Sequence, residues 1–224
     1  MTKYTAIIVE PRKHKALHFV LNNFLSYLSQ DWSIILFHGN TNKEYATNIV
    51  NDLAQLHNKI IQLVHINVDN LTSLEYSVLF TNKSFYHYIP TETFLVFQTD
   101  AMILKENKDK INSFLQYDYV GAPWTWTNQV GNGGLSLRKK SKMLEIINHK
   151  EYAFENEDIY FTHNIPSTIQ YNRPPASEAR AFSIETVFYD APFGIHNCWK
   201  YVSKENMALL MNTYSEFREL IDLQ

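Results

Sequence analysis

Asp100 closes the tripeptide Gln98-Thr99-Asp100, directly after the wholly apolar run FLVF, Phe94 to Phe97. A carboxylate leaving a buried strand sits at the edge where open α/β sheets bind ligands. There it suits a hard divalent cation held against a diphosphate, because such cations prefer oxygen ligands. The same residue type also suits an ordinary turn. A second group is Gly131-Asn132-Gly133-Gly134, which holds three of the chain's six glycines. Glycine lets backbone approach a ligand closely, and Asn-Gly also favours a tight hairpin turn. No Gly-Lys-Ser/Thr follows and no first strand precedes, so this is neither a P-loop nor a dinucleotide fingerprint. Glu157-Asp158 in FENEDIYF suits a helix start for dipole reasons, or a carboxylate base that takes a hydroxyl proton. His196 in PFGIHNCWKY suits a metal ligand, a phosphate contact or a packed polar residue, and His163 in FTHN shares that ambiguity. Neither has the local spacing of a two-His zinc site. Trp124 and Trp126, following Pro123, suit a stacking wall for a sugar ring or simply core.

The elements that must position these groups follow from periodicity. Thr5 to Glu10 reads as a buried strand ended by Pro11. Lys13 to Ser29 reads as a helix, with Leu17, Val20, Leu21, Phe24, Leu25 and Leu28 at helical spacing. Trp32 to Phe37 is a strand, Asn42 to Leu56 a helix and Ile60 to Val68 a strand. This alternation indicates an α/β layer with a largely parallel sheet. Thr72 to Tyr88 is expected to be helical, stopping before Pro90, and Phe94 to Phe97 is a short strand. The second half reads as an aromatic loop with short extended pieces (Tyr117 to Trp126), a glycine-led strand (Val130 to Leu137), and helices over Lys139 to Asn148 and Glu157 to His163. A short helix over Pro175 to Ser183, a strand over Thr186 to Tyr189, a loop over Pro192 to Trp199 and a helix over Lys204 to Leu223 complete it. The two halves are expected to share one sheet.

Composition sets outer bounds. A chain of 224 residues and 26.3 kDa suits one compact domain with a full core. Twenty basic against 23 acidic residues, a net charge of −3, argue against nucleic-acid binding through bulk positive charge. Apolar residues at 45% with charged residues at 19% exclude disorder. The single cysteine, Cys198, excludes an intramolecular disulfide framework and a multi-Cys zinc site. No apolar run reaches a membrane helix or a signal-peptide core, so the expectation is no membrane span and a cytoplasmic location.

Taken in order, the motifs resemble the GT-A class of nucleotide-sugar glycosyltransferases. That class carries a DxD metal motif, a glycine loop, an xED motif holding the base and a late metal-binding His. Here they correspond to Gln98-Thr99-Asp100, Gly131-Asn132-Gly133-Gly134, Asn156-Glu157-Asp158 and His196. The strings FLVFQTDAMIL, DYVGAPW, GNGGLSLR, NEDIYF and AFSIE are similar to a group of small glycosyltransferase-like proteins of large DNA viruses, bacteria and fungi. Its best-known relative is the first domain of a chlorella-virus enzyme that glycosylates the major capsid protein, taken to be an inverting, metal-dependent rhamnosyltransferase. The resemblance runs from about Thr5 to Lys200. It departs at Gln98, which stands where the first acid of DxD would be.

The resemblance implies a single GT-A-like α/β domain over residues 1–224. Residues 1–105 would bind the nucleotide sugar and residues 106–224 would form the acceptor and catalytic half. It implies a UDP-sugar donor, such as a deoxy sugar like rhamnose, and a glycan or glycoprotein acceptor. Val9, Glu10, Arg12, Gln98, Thr99, Asp100 and Lys200 would bind the donor. Asp100 and His196 would hold Mn²⁺ or Mg²⁺, and Asp158 with Glu157 would be catalytic. Trp124, Trp126, Asn132, Gly133 and Gly134 would face sugar and acceptor. Arg138 either touches phosphate or pairs with an acid. Two other readings stay open: a sugar nucleotidyltransferase, disfavoured because VEPRKHK has no glycine, and a nucleotide-sugar- or carbohydrate-binding module without catalysis, supported by Gln98.

Overall fold

The computed structural model describes residues 2–127 and 130–224. The first half alternates as its sequence requires: β1 (Tyr4–Val9), α1 (Leu17–Tyr27), β2 (Trp32–His38), α2 (Lys43–His57), β3 (Ile61–His65), α3 (Ser73–Phe80), β4 (Thr93–Phe97) and β5 (Ala101–Ile103). α4 (Ile111–Phe114), β6 (Tyr119–Gly121), β7 (Leu135–Lys139), α5 (Lys140–His149), α6 (Glu157–Thr162) and α7 (Ala176–Ala179) follow. β8 (Ser183–Ile184), β9 (Gly194–His196), α8 (Lys204–Thr213) and α9 (Glu216–Asp222) complete the chain.

Six strands form one sheet in the order β3-β2-β1-β4-β7-β6, so strands of both halves hydrogen-bond together. β1, β2, β3 and β4 run parallel, while β7 is antiparallel to β4 and to β6. The central strands are mostly apolar, with Ala6 to Val9, Ile34 to Phe37 and Phe94 to Phe97 unbroken, because both faces are covered. Ala6 and Ile8 pack to one side with Phe24, Leu36 and Phe97, while Ile7 and Val9 pack to the other with Phe37, Phe94 and Val96. That split is the period-two alternation of a strand. Phe24 of α1 stacks on Phe97 at a ring-centroid distance of 3.8 Å, and truncating such a ring to Ala costs about 3–5 kcal/mol.

The strand order reverses between β1 and β4, because β2 and β3 extend to one side and β4 starts the other. A reversal of this kind opens a crevice beyond the carboxyl ends of the two strands, the position where such sheets bind ligands. Val9 and Gln98 stand at those two ends.

Four local expectations are corrected. The helix expected over 72–88 ends at Phe80. A separate 3-10 helix, Lys83–Tyr88, begins where the Asn82 side chain accepts from the Ser84 N–H. The C-terminal helix is broken at Tyr214, whose backbone is extended and whose hydroxyl donates to the Asp190 carbonyl. Thr186 to Tyr189 is not a strand; the strand is β8, just before it. The segment expected as a loop over 192–199 contains β9, which joins β5 and β8 in a second, three-stranded sheet. Strands of two or three residues are too short for alternation to reveal them.

Candidate active site

Strand pairing assembles the site from distant segments. The β4–β7 register sets Phe97 opposite Leu135, which brings Gly134 beside Gln98. The β5–β9 register sets Ala101 opposite His196, which brings the imidazole beside Asp100. The Asn197 N–H donates to the Asp100 carbonyl at 3.0 Å and secures that turn.

Two hollows meet here. The first, of about 270 Å³, is lined by Val9, Glu10, Pro11, Arg12, residues 70–73, Tyr76 and residues 98–100. The second, of about 140 Å³, includes Asn132, Gly133, Gly134, Asp158 and His196 in its lining. Ser73, Tyr76 and Gln98 line both, so the two form one cleft.

In the first hollow, Glu10 is buried and receives the Arg12 guanidinium in a two-point contact at 2.8 and 2.7 Å. The loop is pinned from behind by Asn42, whose side-chain amide donates to the Glu10 and Arg12 carbonyls and whose oxygen accepts from the Gly39 N–H. Arg12 is half exposed, with its charge facing the cleft mouth rather than the core. The other wall is the first turn of α3, where Thr72 and Glu75 form a capping box. Sequence reasoning did not place residues 70–73 or Tyr76 in the site. Thr72-Ser73-Leu74-Glu75 does fit the S/T-x-x-E signature of a helix start, which marks where α3 begins but not that its first turn lines a cleft.

At the junction, His196 Nε2 lies 3.2 Å from Asp100 Oδ1, and neither atom makes a hydrogen bond of acceptable geometry. Burial pushes the Asp100 carboxyl up, but the neighbouring imidazole outweighs this and holds it below its ordinary value. Burial pulls His196 down, and the Asp100 charge outweighs that and holds it above. Glu185, buried and absent from the residues expected at the site, sits 3.5 Å from His196 Nδ1. Lys200 is exposed and close enough to Asp100 to favour its charged form. Among the described residues there is no group of three or more His, Cys, Asp or Glu suited to hold a metal.

In the second hollow, Glu157 and Asp158 are adjacent in sequence but differ in surroundings. Glu157 is buried and takes both guanidinium arms of Arg138, at 2.6 and 2.9 Å. Its carboxylate is therefore engaged with protein, which separates it from the catalytic role expected beside Asp158. Asp158 lines the hollow and accepts from the Gly133 N–H at 3.2 Å and from the Ile159 N–H at 2.8 Å. Burial, then the Glu157 charge, push its carboxyl up to about 6.

The glycine loop has a reason beyond ligand approach. A Cβ on Gly133 would overlap the Glu157 carboxylate, and one on Gly134 would overlap the His196 imidazole. The missing side chains admit protein groups as well as leaving the hollow open. Asn132, also buried, accepts the Gly134 N–H at 3.1 Å.

The two tryptophans are not equivalent. Trp124 is 7% exposed and Trp126 is 61% exposed. They stack at 5.1 Å, and Trp126 also lies nearly parallel to His163, at 5.7 Å and 14°. Trp124 and His163 thus back a single exposed indole. His163 Nε2 is buried without a hydrogen-bond partner.

The fold agrees with comparisons to known proteins. A family model described as "Protein of unknown function (DUF5672)" matches residues 60–196, and the chain belongs to that family. The matched span contains Asp100, the glycine loop, Asp158 and His196. No curated protein matches the sequence. Among solved structures, the chain is similar to the bifunctional glycosyltransferase WbbM, with a TM-score of 0.58 and 8% identity over 100% of this chain and 52% of that one. It is similar to the glycosyltransferase GlyE of Streptococcus pneumoniae TIGR4, with a TM-score of 0.56 and 12% identity over 99% of this chain and 62% of that one. It is also similar to the mannosyltransferase PcManGT of Pyrobaculum calidifontis, solved with GDP-Man and Mn²⁺, with a TM-score of 0.51 and 10% identity over 70% of this chain and 49% of that one. The chain spans about half to three-fifths of the length of these solved chains. The fold is that of the GT-A glycosyltransferases. No helix among the described residues is long and apolar enough to cross a membrane.

Proposed function

We propose that this chain, acting as one domain over residues 1–224, is an inverting glycosyltransferase. It would move a sugar from a UDP-sugar, such as a deoxy sugar like UDP-rhamnose, to a glycan or glycoprotein acceptor in the cytoplasm. The observation that carries this reading is the continuity of the two hollows through Ser73, Tyr76 and Gln98, with Asp100 and His196 at the junction and Asp158 beyond it.

The nucleoside would occupy the first hollow, against Val9, Glu10 and the first turn of α3, with Gln98 and Thr99 below it. Arg12 and Lys200 would face the diphosphate. Asp100 and His196 fit a divalent cation, because two buried lone-pair donors without hydrogen-bond partners face each other. An oxygen with an imidazole nitrogen suits Mn²⁺ or Mg²⁺ completed by diphosphate oxygens. When bound, the cation would supply neutralising charge to the departing diphosphate.

Asp158 would accept the proton of the acceptor hydroxyl as that oxygen attacks the anomeric carbon. The bond from that carbon to the diphosphate oxygen breaks on the opposite face, and UDP leaves with the electron pair. A positioned base of this kind contributes about 10²–10⁴-fold. Its raised pKa suits the task, since a base works best when its pKa approaches the working pH. Trp126, backed by Trp124 and His163, would offer an apolar face to the acceptor pyranose.

The test is a thermal-shift panel of UDP-sugars and GDP-sugars with Mn²⁺ and with chelator, followed by assay of donor hydrolysis. A ligand that binds the native state raises Tm with occupancy. A UDP-sugar shift that chelator removes, together with turnover, supports the reading; no shift with any nucleotide sugar refutes it. One observation favours a second reading, a nucleotide-sugar-binding module without catalysis: Gln98 replaces a charged ligand. Binding without turnover would select it.

A further inference from the structure

Among the described residues, Arg138 is the largest side chain that is wholly buried. A guanidinium keeps its charge in any fold, so each of its donors needs a partner. Here Nε donates to Ser136 Oγ at 2.9 Å, and the two arms take the Glu157 carboxylate. Nη2 also lies 3.4 Å from the Gly133 carbonyl, which Ser136 Oγ reaches at 3.1 Å. The rings of Tyr119, Phe80 and Phe161 surround the cation at 4.9, 5.2 and 5.8 Å. Burial opposes the charge, and the Glu157 carboxylate outweighs it and holds the pKa above the ordinary value.

These contacts join three pieces of the site. Gly133 belongs to the glycine loop, and its N–H donates to Asp158. Glu157 opens α6, and its own N–H donates to Ser77 Oγ of α3 at 3.1 Å. α3 supplies Ser73 and Tyr76 to the first hollow. Ser73 Oγ in turn meets Asn156 Oδ1 at 3.1 Å, one residue before Glu157.

We propose that Arg138 is a positioning residue that clamps α6 to the glycine loop and so sets the Asp158 carboxylate against the Gly133 N–H. The step Asp158 performs rests on the glycosyltransferase reading; the clamp itself does not. Replacing a buried ion pair by apolar groups of similar size often preserves stability, whereas removing one partner leaves an uncompensated charge. A pair kept for packing alone therefore tolerates an apolar swap, and a clamp does not.

The experiment uses Arg138→Met/Glu157→Leu and, as a fold-preserving companion, Arg138→Lys. Lys keeps the charge but lacks the planar fork that reaches Glu157, Ser136 and Gly133 together. Expected for the folded variants is UDP binding with Mn²⁺ within threefold of wild type and donor turnover down at least 100-fold. The Gly133 amide signal in ¹⁵N–¹H spectra is expected to move to where Asp158→Ala puts it. A folded variant with wild-type turnover and an unmoved Gly133 amide overturns the proposal. If the double variant does not fold, Arg138→Lys decides by the same measurements. If wild type neither binds nor turns over any nucleotide sugar, the function reading fails while the Gly133 amide still tests the clamp.

Discussion

His196 Nε2 and Asp100 Oδ1 stand 3.2 Å apart, buried and without hydrogen bonds to satisfy them. Buried polar atoms are rarely left so, and this pair is where the proposed cation would sit. Adding Mn²⁺ with UDP is expected to raise Tm more than UDP alone, since a ligand of the native state adds stability by mass action. Asp100→Asn and His196→Ala should each abolish the metal-dependent part of that shift. Either variant retaining the full shift would place the cation elsewhere.

Asp158→Asn is expected to lower turnover by about 10²–10⁴-fold with donor affinity nearly unchanged. Measuring kcat and the UDP Kd separately checks it. Equal losses in both would make the residue a binding group and not a base.

The pH profile follows from the same carboxyl. Asp158 acts deprotonated, so turnover should fall about tenfold per pH unit below its pKa, near 6. Its effect on stability runs the other way. The folded state holds the proton more tightly than the unfolded chain, so the favourable contribution is complete below about pH 4 and is lost as pH rises through about 6. The gap between about 6 and the ordinary 3.8 corresponds to about 3 kcal/mol. Asp158→Asn should therefore be more stable than wild type at pH 8, by up to that amount less the loss of one accepted hydrogen bond. Urea titrations at pH 4 and pH 8 measure this, and an equal difference at both pH values would contradict the raised pKa.

Gly134→Ala should act on the His196 imidazole, because the added methyl overlaps its ring. The expected outcome is loss of the Mn²⁺-dependent Tm shift with UDP, while the fold persists. Retention of that shift would mean the loop yields instead.

Trp126→Ala should raise acceptor KM by tenfold or more and leave donor KM within twofold, because it removes the exposed face of the ring cluster. Trp124→Ala should instead lower Tm, since that ring is buried. The reverse pattern would remove Trp126 from the acceptor subsite.

Much of the first half was legible from the chain itself. FLVF is apolar at every position, and TAIIVE and WSIILF carry unbroken apolar cores (Ala6 to Val9, Ile34 to Phe37), because both faces of their strands are covered, so strand and burial appear together. The apolar run FLVF puts Gln98-Thr99-Asp100 at the carboxyl edge of the sheet, whereas the switch between β1 and β4 comes from the strand order of the folded sheet. The short motifs of the second half were visible as residue types only. Periodicity carries no pairing information for β8 and β9, so the strand falls at Ser183–Ile184 and not at Thr186 to Tyr189.

Sequence by itself determined which residues are chemically able: an acid after a buried strand, a glycine cluster, two adjacent acids, a late histidine and two tryptophans. Tertiary structure decided what each one faces. It paired Glu157 with Arg138 and left Asp158 open to the cleft, although the two are neighbours of like charge. It buried Trp124 and exposed Trp126, and it set Glu185 beside His196. The physical reason is the same in each case. Desolvation and hydrogen bonding depend on partners brought from far along the chain by strand register, and no local pattern records that register.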